Sequence, residues 1–377
     1  MRIAFDGRIM QGRPRGMGVY AGNLLKAIAR RSDRPQITLL LDSSLPDPEG
    51  LPAGVFETRR ARGIGGLVAW EQFHLPRLAG GFDLLHCPAN GAPVRCGVPV
   101  ILTIHDAIFV RRFREISAVP YPRQLIGHLY RTRFYPEAAR RAAAVVTVSE
   151  TSRQDIISLL RVPGDRVCVT LEAVSETFRD LEPMGETDLR GKFGIPGPYL
   201  LAMGQYEKRK NIPLLFGVFG HLKNSMQAPP QLVLSGAENL RATRYREEVG
   251  TRGISSMVRF LPYVTERELK ALYTCAVAFL MPSRKEGFGL PVLEAMSVGT
   301  PVIASAIGAH REVAGDAALV LDPDDPEVWV EAIRRVMTDS GYREKLSGLS
   351  RAQAARFNWD RTAELTLKVY AGVAKGK

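Results

Sequence analysis

The chain has few groups that bind metals or form cross-links. Its 377 residues include four cysteines, at 87, 96, 168 and 275, and six histidines. No two cysteines make a CxxC pair, and no histidine joins them at metal-ligand spacing. A disulfide scaffold, a zinc finger and a metal-dependent site are therefore not expected, and the thiols read as buried and free. Long apolar runs are also missing. The longest, Val98–Ile104 and Ala276–Met281, have strand length and fall short of the roughly 18–20 residues of a membrane span. The run Arg2–Asp6 reads as a strand from the start, with no apolar leader core before it. The expected location is the cytoplasm, with peripheral attachment to the inner face of the cell membrane as an extension of that reading. No low-complexity tract and no short repeat appears. No helix-turn-helix, finger or RNA-recognition pattern accompanies the basic charge, so no nucleic-acid partner is expected.

What remains is an ordinary core-forming composition, 45% hydrophobic and 24% charged, on a chain long enough for two domains. The net charge of +12 suggests an acidic partner. The excess is uneven. Between Arg111 and Arg141 stand eight arginines (111, 112, 114, 123, 131, 133, 140 and 141) against Glu115 and Glu137. Phe109, Phe113, Tyr121, Tyr130, Phe134 and Tyr135 interleave with them. This segment reads either as a solvated helix with an aromatic inner face or as a surface that docks on anionic lipid.

Short β-branched runs alternate with amphipathic stretches. Strands are predicted over 2–6, 36–41, 83–87, 98–104, 144–148 and 166–169, then over 198–203, 231–235, 257–260, 276–281, 301–304 and 317–320. Helical patterns lie between many of them, at 18–31, 150–160, 211–223, 265–274 and 325–338. Continuous apolar strands alternating with helices predict an α/β fold of two doubly wound parallel sheets. The Pro- and Gly-rich stretch from Ser175 to Pro198 reads as the junction. The expected domains are 1–180, 190–356 and a terminal helix, 357–377, packing back on the first domain. Such sheets bind ligands at the carboxyl ends of their strands, which singles out a handful of loops.

The most informative is the string 281–305, MPSRKEGFGLPVLEAMSVGTPVIAS. A loop with Gly287 and Gly289 runs into a helix that Pro291 suits at its first turn. A helix start of this kind favours phosphates or sugar hydroxyls. Glu286 is placed to hold sugar hydroxyls, and Glu294, about a turn into the helix, to accept both hydroxyls of a ribose. The loop Gly204–Asn211 brings Lys208, Arg209 and Lys210 to a strand tip, where cations fit a diphosphate. Gly16-Met17-Gly18, with Asp42 further on, is a passable nicotinamide fingerprint, although the loop before it is long. His105 stands at another strand tip in Leu102–Asp106. Asp322-Pro323-Asp324 looks like a metal-binding DxD but reads as helix capping.

With these residues in place the chain resembles the family 4 retaining glycosyltransferases, of the GT-B type with two Rossmann-like domains facing across a cleft. The resemblance runs through GMGVYAGNL (16–24), TIHD (103–106), VVTVSE (145–150), MGQYEKRKN (203–211), FLPYVTERELKALY (260–273), Glu286-x7-Glu294 and FNWDRTAELTLKVY (357–370). It implies that the second domain binds a nucleotide sugar and the first the acceptor. It assigns Glu286 to the transferred sugar and Glu294 to the ribose. Gly204 and the amides of Gly287, Phe288, Gly289 and Leu290 line the donor, while Lys210 with Arg209 neutralises the diphosphate. Gly16 and Gly18 approach that diphosphate, His105 touches the sugar and helps stabilise developing positive charge, and Tyr263 and Val264 flank the base. Two positions depart from the pattern: Gln205 stands where many relatives have Arg, and Arg311 where Pro is usual.

The expected reaction is retaining transfer without a metal and without a cofactor other than the GDP- or UDP-linked co-substrate. Overall texture leans to GDP-mannose and to bacterial O-antigen and exopolysaccharide assembly, with a glycan or lipid-diphosphate-linked saccharide as acceptor. A nicotinamide oxidoreductase built on Gly16, Gly18 and Asp42 is the competing reading, with a sugar-nucleotide epimerase or a non-catalytic membrane binder behind it.

Overall fold

A computed structural model describes residues 1–12, 14, 16–110, 122–237 and 242–376. These divide into two compact units. One holds the chain up to Ser175 together with Phe357 onwards, and the other holds Glu176–Arg356.

The first unit is built on seven strands: β1 (Arg2–Asp6), β2 (Gln36–Asp42), β3 (Glu57–Ala61), β4 (Leu84–Cys87), β5 (Val100–Ile104), β6 (Ala144–Thr147) and β7 (Val167–Val169). They lie parallel in the order β3-β2-β1-β4-β5-β6-β7. The chain winds outward from β1, then begins again beside it at β4, so the winding reverses between those two strands. The second unit repeats the plan with β8 (Tyr199–Met203), β9 (Gln231–Ser235), β10 (Val258–Phe260), β11 (Ala278–Met281), β12 (Val302–Ser305) and β13 (Leu319–Leu321). Its parallel order is β10-β9-β8-β11-β12-β13, with the reversal between β8 and β11. A reversal point opens a crevice at the carboxyl ends of the two strands beside it.

Apolar strands with both faces covered need helices on each side. In the second unit Leu200, Ala202 and Leu280 pack with Phe216 and Phe219 of helix Ile212–Ser225 and with Trp329 and Ile333 of helix Pro326–Thr338. In the first, Ala4, Leu85, Leu102 and Val145 pack with Trp70 and with Ala138 and Ala139 of helix Pro122–Arg141. The last helix, Trp359–Lys375, is capped by Asn358 and lies on the first unit. Trp359 Nε1 donates to the Val174 carbonyl at 3.0 Å, Thr362 Oγ1 to Leu171 O at 2.5 Å, and Tyr370 OH bonds His86 Nδ1 at 2.6 Å.

Three sequence expectations need correction. β3, Glu-Thr-Arg-Arg-Ala, was not predicted: it is an edge strand, mostly exposed, placed by backbone pairing to β2 and by side-chain bonds of Glu57 to Gln36 and of Arg59 to the Leu78 carbonyl. The Ser175–Pro198 stretch contains a helix, Glu186–Phe193, which buries Leu189 and Phe193. Neither Asp322 nor Asp324 caps the following helix. Asp325 does, accepting from Glu327 N at 3.0 Å, while Asp322 Oδ1 accepts from Asp324 N and Asp324 pairs with Arg284. In the basic segment, residues 111–121 lie outside the described residues. Beyond them Arg140 and Arg141 pair with Glu137, and Tyr130 and Tyr135 turn inward to Glu71.

Candidate active site

The loops after β8 and β11 flank the reversal point of the second sheet. After β8, Gly204 runs so close to β9 that a Cβ there would lie 2.4 Å from Ala237 Cβ and 3.0 Å from Leu234 Cβ. Close approach of backbones thus explains this glycine before any ligand is invoked. A 3-10 turn, Lys208–Lys210, follows, and Asn211 in the left-handed region (φ 52°) starts the next helix. After β11 the chain passes Pro282–Gly289 into helix Leu290–Ser297. Gly289 has φ 106°, a conformation that favours glycine, and no side chain caps this helix start.

The two loops are joined. Arg284 N donates to Arg209 O at 2.7 Å. Lys210 Nζ donates to Glu286 Oε1 at 2.9 Å, and Arg209 to Glu286 Oε2 at 2.7 Å. Arg209 Nε also holds Glu207 at 2.6 Å. Lys210 is only 5% exposed. Burial would raise the Glu286 pKa, but the charges of Lys210 and Arg209 outweigh it and hold the carboxyl below its ordinary value. Glu286 is therefore a carboxylate at neutral pH. The two cations read from the sequence as diphosphate ligands are bonded to this carboxylate.

Glu294 is partly buried on the following helix and accepts from Tyr273 OH at 3.1 Å. Burial pushes its pKa up to about 7, with Glu266 adding to the rise and Tyr273 opposing it. One of its oxygens is thus already engaged. Phe288 turns its ring into the protein, so only its backbone is offered to a ligand. Tyr263 and Val264 stand after β10, at the edge of the sheet, with Tyr263 79% exposed. Gln205 and Arg311 are both exposed.

In the first unit, Gly16 (φ 32°) precedes helix Met17–Ala29 and has, among the described residues, nothing beside its missing Cβ. Gly18 is different. A Cβ would meet the Ile9 carbonyl oxygen at 2.5 Å, so packing alone demands this glycine. The nicotinamide reading fails at Asp42, whose carboxylate accepts from Ser44 N and Oγ, Gly63 N and Arg8 Nε. It is buried and already accepts these four hydrogen bonds. The His105 side chain has partners within the first unit. Its Nδ1 lies 2.9 Å from Glu172 Oε1 and its Nε2 3.1 Å from Pro88 O. Two acceptor oxygens require two N–H donors, the protonated ring. Burial opposes that charge, Glu172 favours it, and the net shift is upward. His105 here anchors the strand tip with Glu172.

Sequence reasoning passed over Glu207, Tyr273 and His310. The first two lie inside strings already singled out. His310 follows directly on the Ser305–Ala309 loop.

Two family models match the chain: Glycosyl transferases group 1 over residues 186–353, and Glycosyltransferase Family 4 over residues 14–175. The O-antigen chain mannosyltransferase B of Escherichia coli is 34% identical over 386 aligned positions, 98% of this chain and 99% of that protein. The chain belongs to the family 4 glycosyltransferases. A D-inositol 3-phosphate glycosyltransferase of Xylanimonas cellulosilytica is 29% identical over 96% of this chain and 92% of its own. Among solved structures, Anabaena HepE in complex with UDP and glucose matches with a TM-score of 0.71 at 16% identity, over 99% of this chain and 100% of that one. That likeness is one of fold, and it is the GT-B fold. This family 4 glycosyltransferase thus carries Glu286-x7-Glu294 at the reversal point of its second sheet. Among the described residues no helix is long and apolar enough to cross a membrane.

Proposed function

We propose that this glycosyltransferase moves a hexose, with retention of configuration and without a metal, from a GDP- or UDP-linked donor. The acceptor is a glycan or lipid-diphosphate-linked saccharide of cell-surface polysaccharide synthesis, and mannose is the first sugar to test. The observation that carries the reading is the Glu286–Lys210–Arg209 cluster at the β8/β11 crevice. The preference for mannose rests on the 34% identity to an O-antigen chain mannosyltransferase over nearly the whole chain. Roles follow from charge. With Glu207 and Glu286 against Arg209 and Lys210, the cluster is balanced when empty. A diphosphate competes with the two carboxylates for the cations and frees Glu286 to accept from hydroxyls of the transferred sugar. As the glycosidic bond breaks, the growing phosphate charge falls on Lys210 and Arg209, a place where other enzymes put a divalent ion. The acceptor hydroxyl attacks the face the phosphate leaves, and its proton passes to that phosphate. Glu294 accepts from the ribose, the amides of Gly287–Leu290 donate to sugar and phosphate oxygens, and Tyr263 and Val264 border the base. Gly16 and Gly204 belong to loops assigned to the donor.

The test is a hydrolysis and thermal-shift screen across GDP-, UDP- and ADP-sugars, repeated in excess EDTA. Turnover of a GDP- or UDP-sugar that survives EDTA supports the reading. Loss restored only by a divalent ion removes the metal-free mechanism, and no turnover of any sugar nucleotide removes the whole.

The finer proposal places the enzyme peripherally on an anionic membrane through the Arg111–Arg141 segment. It is supported by the eight-to-two excess of arginine over glutamate there. Neutralising Arg111, Arg112 and Arg114 should weaken liposome binding, and unchanged binding removes this part alone.

A further inference from the structure

His310 is fully buried beneath the loop that carries Glu286. It belongs to the short helix Gly308–Ala314 after β12, and its ring edge lies against Gly289. A Cβ on that glycine would be 3.2 Å from His310 Cδ2 and 3.9 Å from Nε2. Glu286 and Lys210 are the charged groups near enough to act on it. The tautomer follows from its partners. Nδ1 lies 3.0 Å from the Ser305 carbonyl and 3.2 Å from Ser305 Oγ. The Ser305 hydroxyl donates to Ser283 O, so it too presents a lone pair to the ring. Nδ1 therefore carries the proton and Nε2 is an acceptor. Burial keeps the ring neutral, with its pKa lowered to about 4. Yet Nε2 has no hydrogen-bond partner among the described residues. A second buried polar atom, Ser283 Oγ, is in the same condition. It stands beside Glu286, close enough for its hydroxyl to help hold that carboxyl's pKa down, although no bond of ordinary geometry joins the two. Folded chains rarely leave buried polar groups unpaired. Here two flank one carboxylate in one loop.

We propose that His310 is a specificity-determining residue, whose Nε2 accepts a hydrogen bond from a hydroxyl of the transferred sugar. The inference rests on the assignment of the Glu286 loop to the donor sugar. It goes further by naming a residue that neither Glu286-x7-Glu294 nor the basic loop contains. Gly289 covers the ring, so the Gly287–Gly289 turn must shift as the sugar enters, and the absence of a side chain at 289 permits this. An acceptor in a closed site selects for a donor hydroxyl at one ring carbon. It discriminates against a sugar lacking that hydroxyl, because the pocket atom is then left unpaired.

The experiment compares wild type, His310→Leu and His310→Gln on the best donor of the screen and on its single-deoxy analogues. His310→Leu should lower kcat/KM on the parent donor about 10- to 100-fold and leave the Kd of the bare nucleoside diphosphate unchanged. One deoxy donor, poor with wild type, should be no poorer with the leucine variant. His310→Gln keeps an acceptor and should recover part of the activity. It also carries the test if the leucine variant does not fold. A leucine variant as active as wild type overturns the proposal, and so does an equal penalty from every deoxy position in both enzymes. The parent reading fails separately, through a wild type that uses no sugar nucleotide or through full activity of Glu286→Ala.

Discussion

Lys210 is a buried cation whose ammonium donates to Glu286, and replacing it with methionine separates its value to folding from its value to catalysis. At 2.9 Å the pair attracts by roughly 6 kcal/mol in a medium of effective dielectric about 20. Removing both charges from water costs several kcal/mol per ion. The two nearly cancel, so the pair adds about 0–2 kcal/mol to stability. Glu286 is not orphaned by the change, because Arg209 still holds its other oxygen at 2.7 Å. Methionine also fills the apolar volume of the lysine stem. The thermal midpoint should therefore move by no more than about 8 °C. Catalysis has no such cancellation. A fixed cation facing a leaving diphosphate is needed most in the transition state, and its loss should lower kcat/KM by about 100- to 1000-fold. Initial rates and a melting curve on the same preparations decide. A fall in kcat/KM of less than about tenfold refutes the assignment of Lys210 to the diphosphate. A collapse of the melting temperature refutes the cancellation on which the stability estimate rests.

Glu294 should make donor binding pH-dependent. Its carboxyl titrates near 7 in the folded chain and near the ordinary 4.5 when unfolded, so the folded state holds the extra proton between those values. Stability from this group is therefore present at low pH and declines as pH rises from about 4.5 through 7. The ribose wants the carboxylate, so donor Kd should tighten from pH 6 to pH 8. Glu294→Gln should flatten both trends, measured by calorimetry and by melting curves across that range. Gly18→Ala forces a Cβ to within 2.5 Å of the Ile9 carbonyl and should destabilise the first unit by about 1–3 kcal/mol. Gly16→Ala meets no neighbour and is strained only through its φ of 32°, so chemical denaturation should rank it as the milder change.

Much of the fold was readable because its strands are buried on both faces. A run such as Tyr-Leu-Leu-Ala-Met at β8 has no other home than the middle of a parallel sheet. β3 was not readable, since Glu57–Ala61 carries two arginines and no apolar face and is held by backbone pairing to β2 and by polar side-chain contacts. The candidate loops were readable for a related reason: glycines and cations collect at strand tips, where the sheet needs turns and a ligand needs amides. The partnerships within the site were not. Lys210 and Glu286 lie 76 residues apart, and only the β8–β11 pairing brings their strand tips side by side. His105 illustrates the opposite limit. Its place at a strand tip was legible, but the Glu172 carboxylate and Pro88 carbonyl that occupy its ring come from other loops. Asp42 lay at a position suited to a ribose and is spent on Ser44, Gly63 and Arg8.

The account stands on Glu286 as the group that receives the transferred sugar. Its most direct test is sugar transfer by wild type and Glu286→Ala on one donor, with the anomeric configuration of the product read by NMR and the melting temperature of both proteins recorded. The account predicts a product with the donor's configuration from wild type. It predicts a loss of at least about 100-fold in turnover for the variant, with a folded protein in both tubes. An inverted product, or a variant that keeps full turnover, would contradict it.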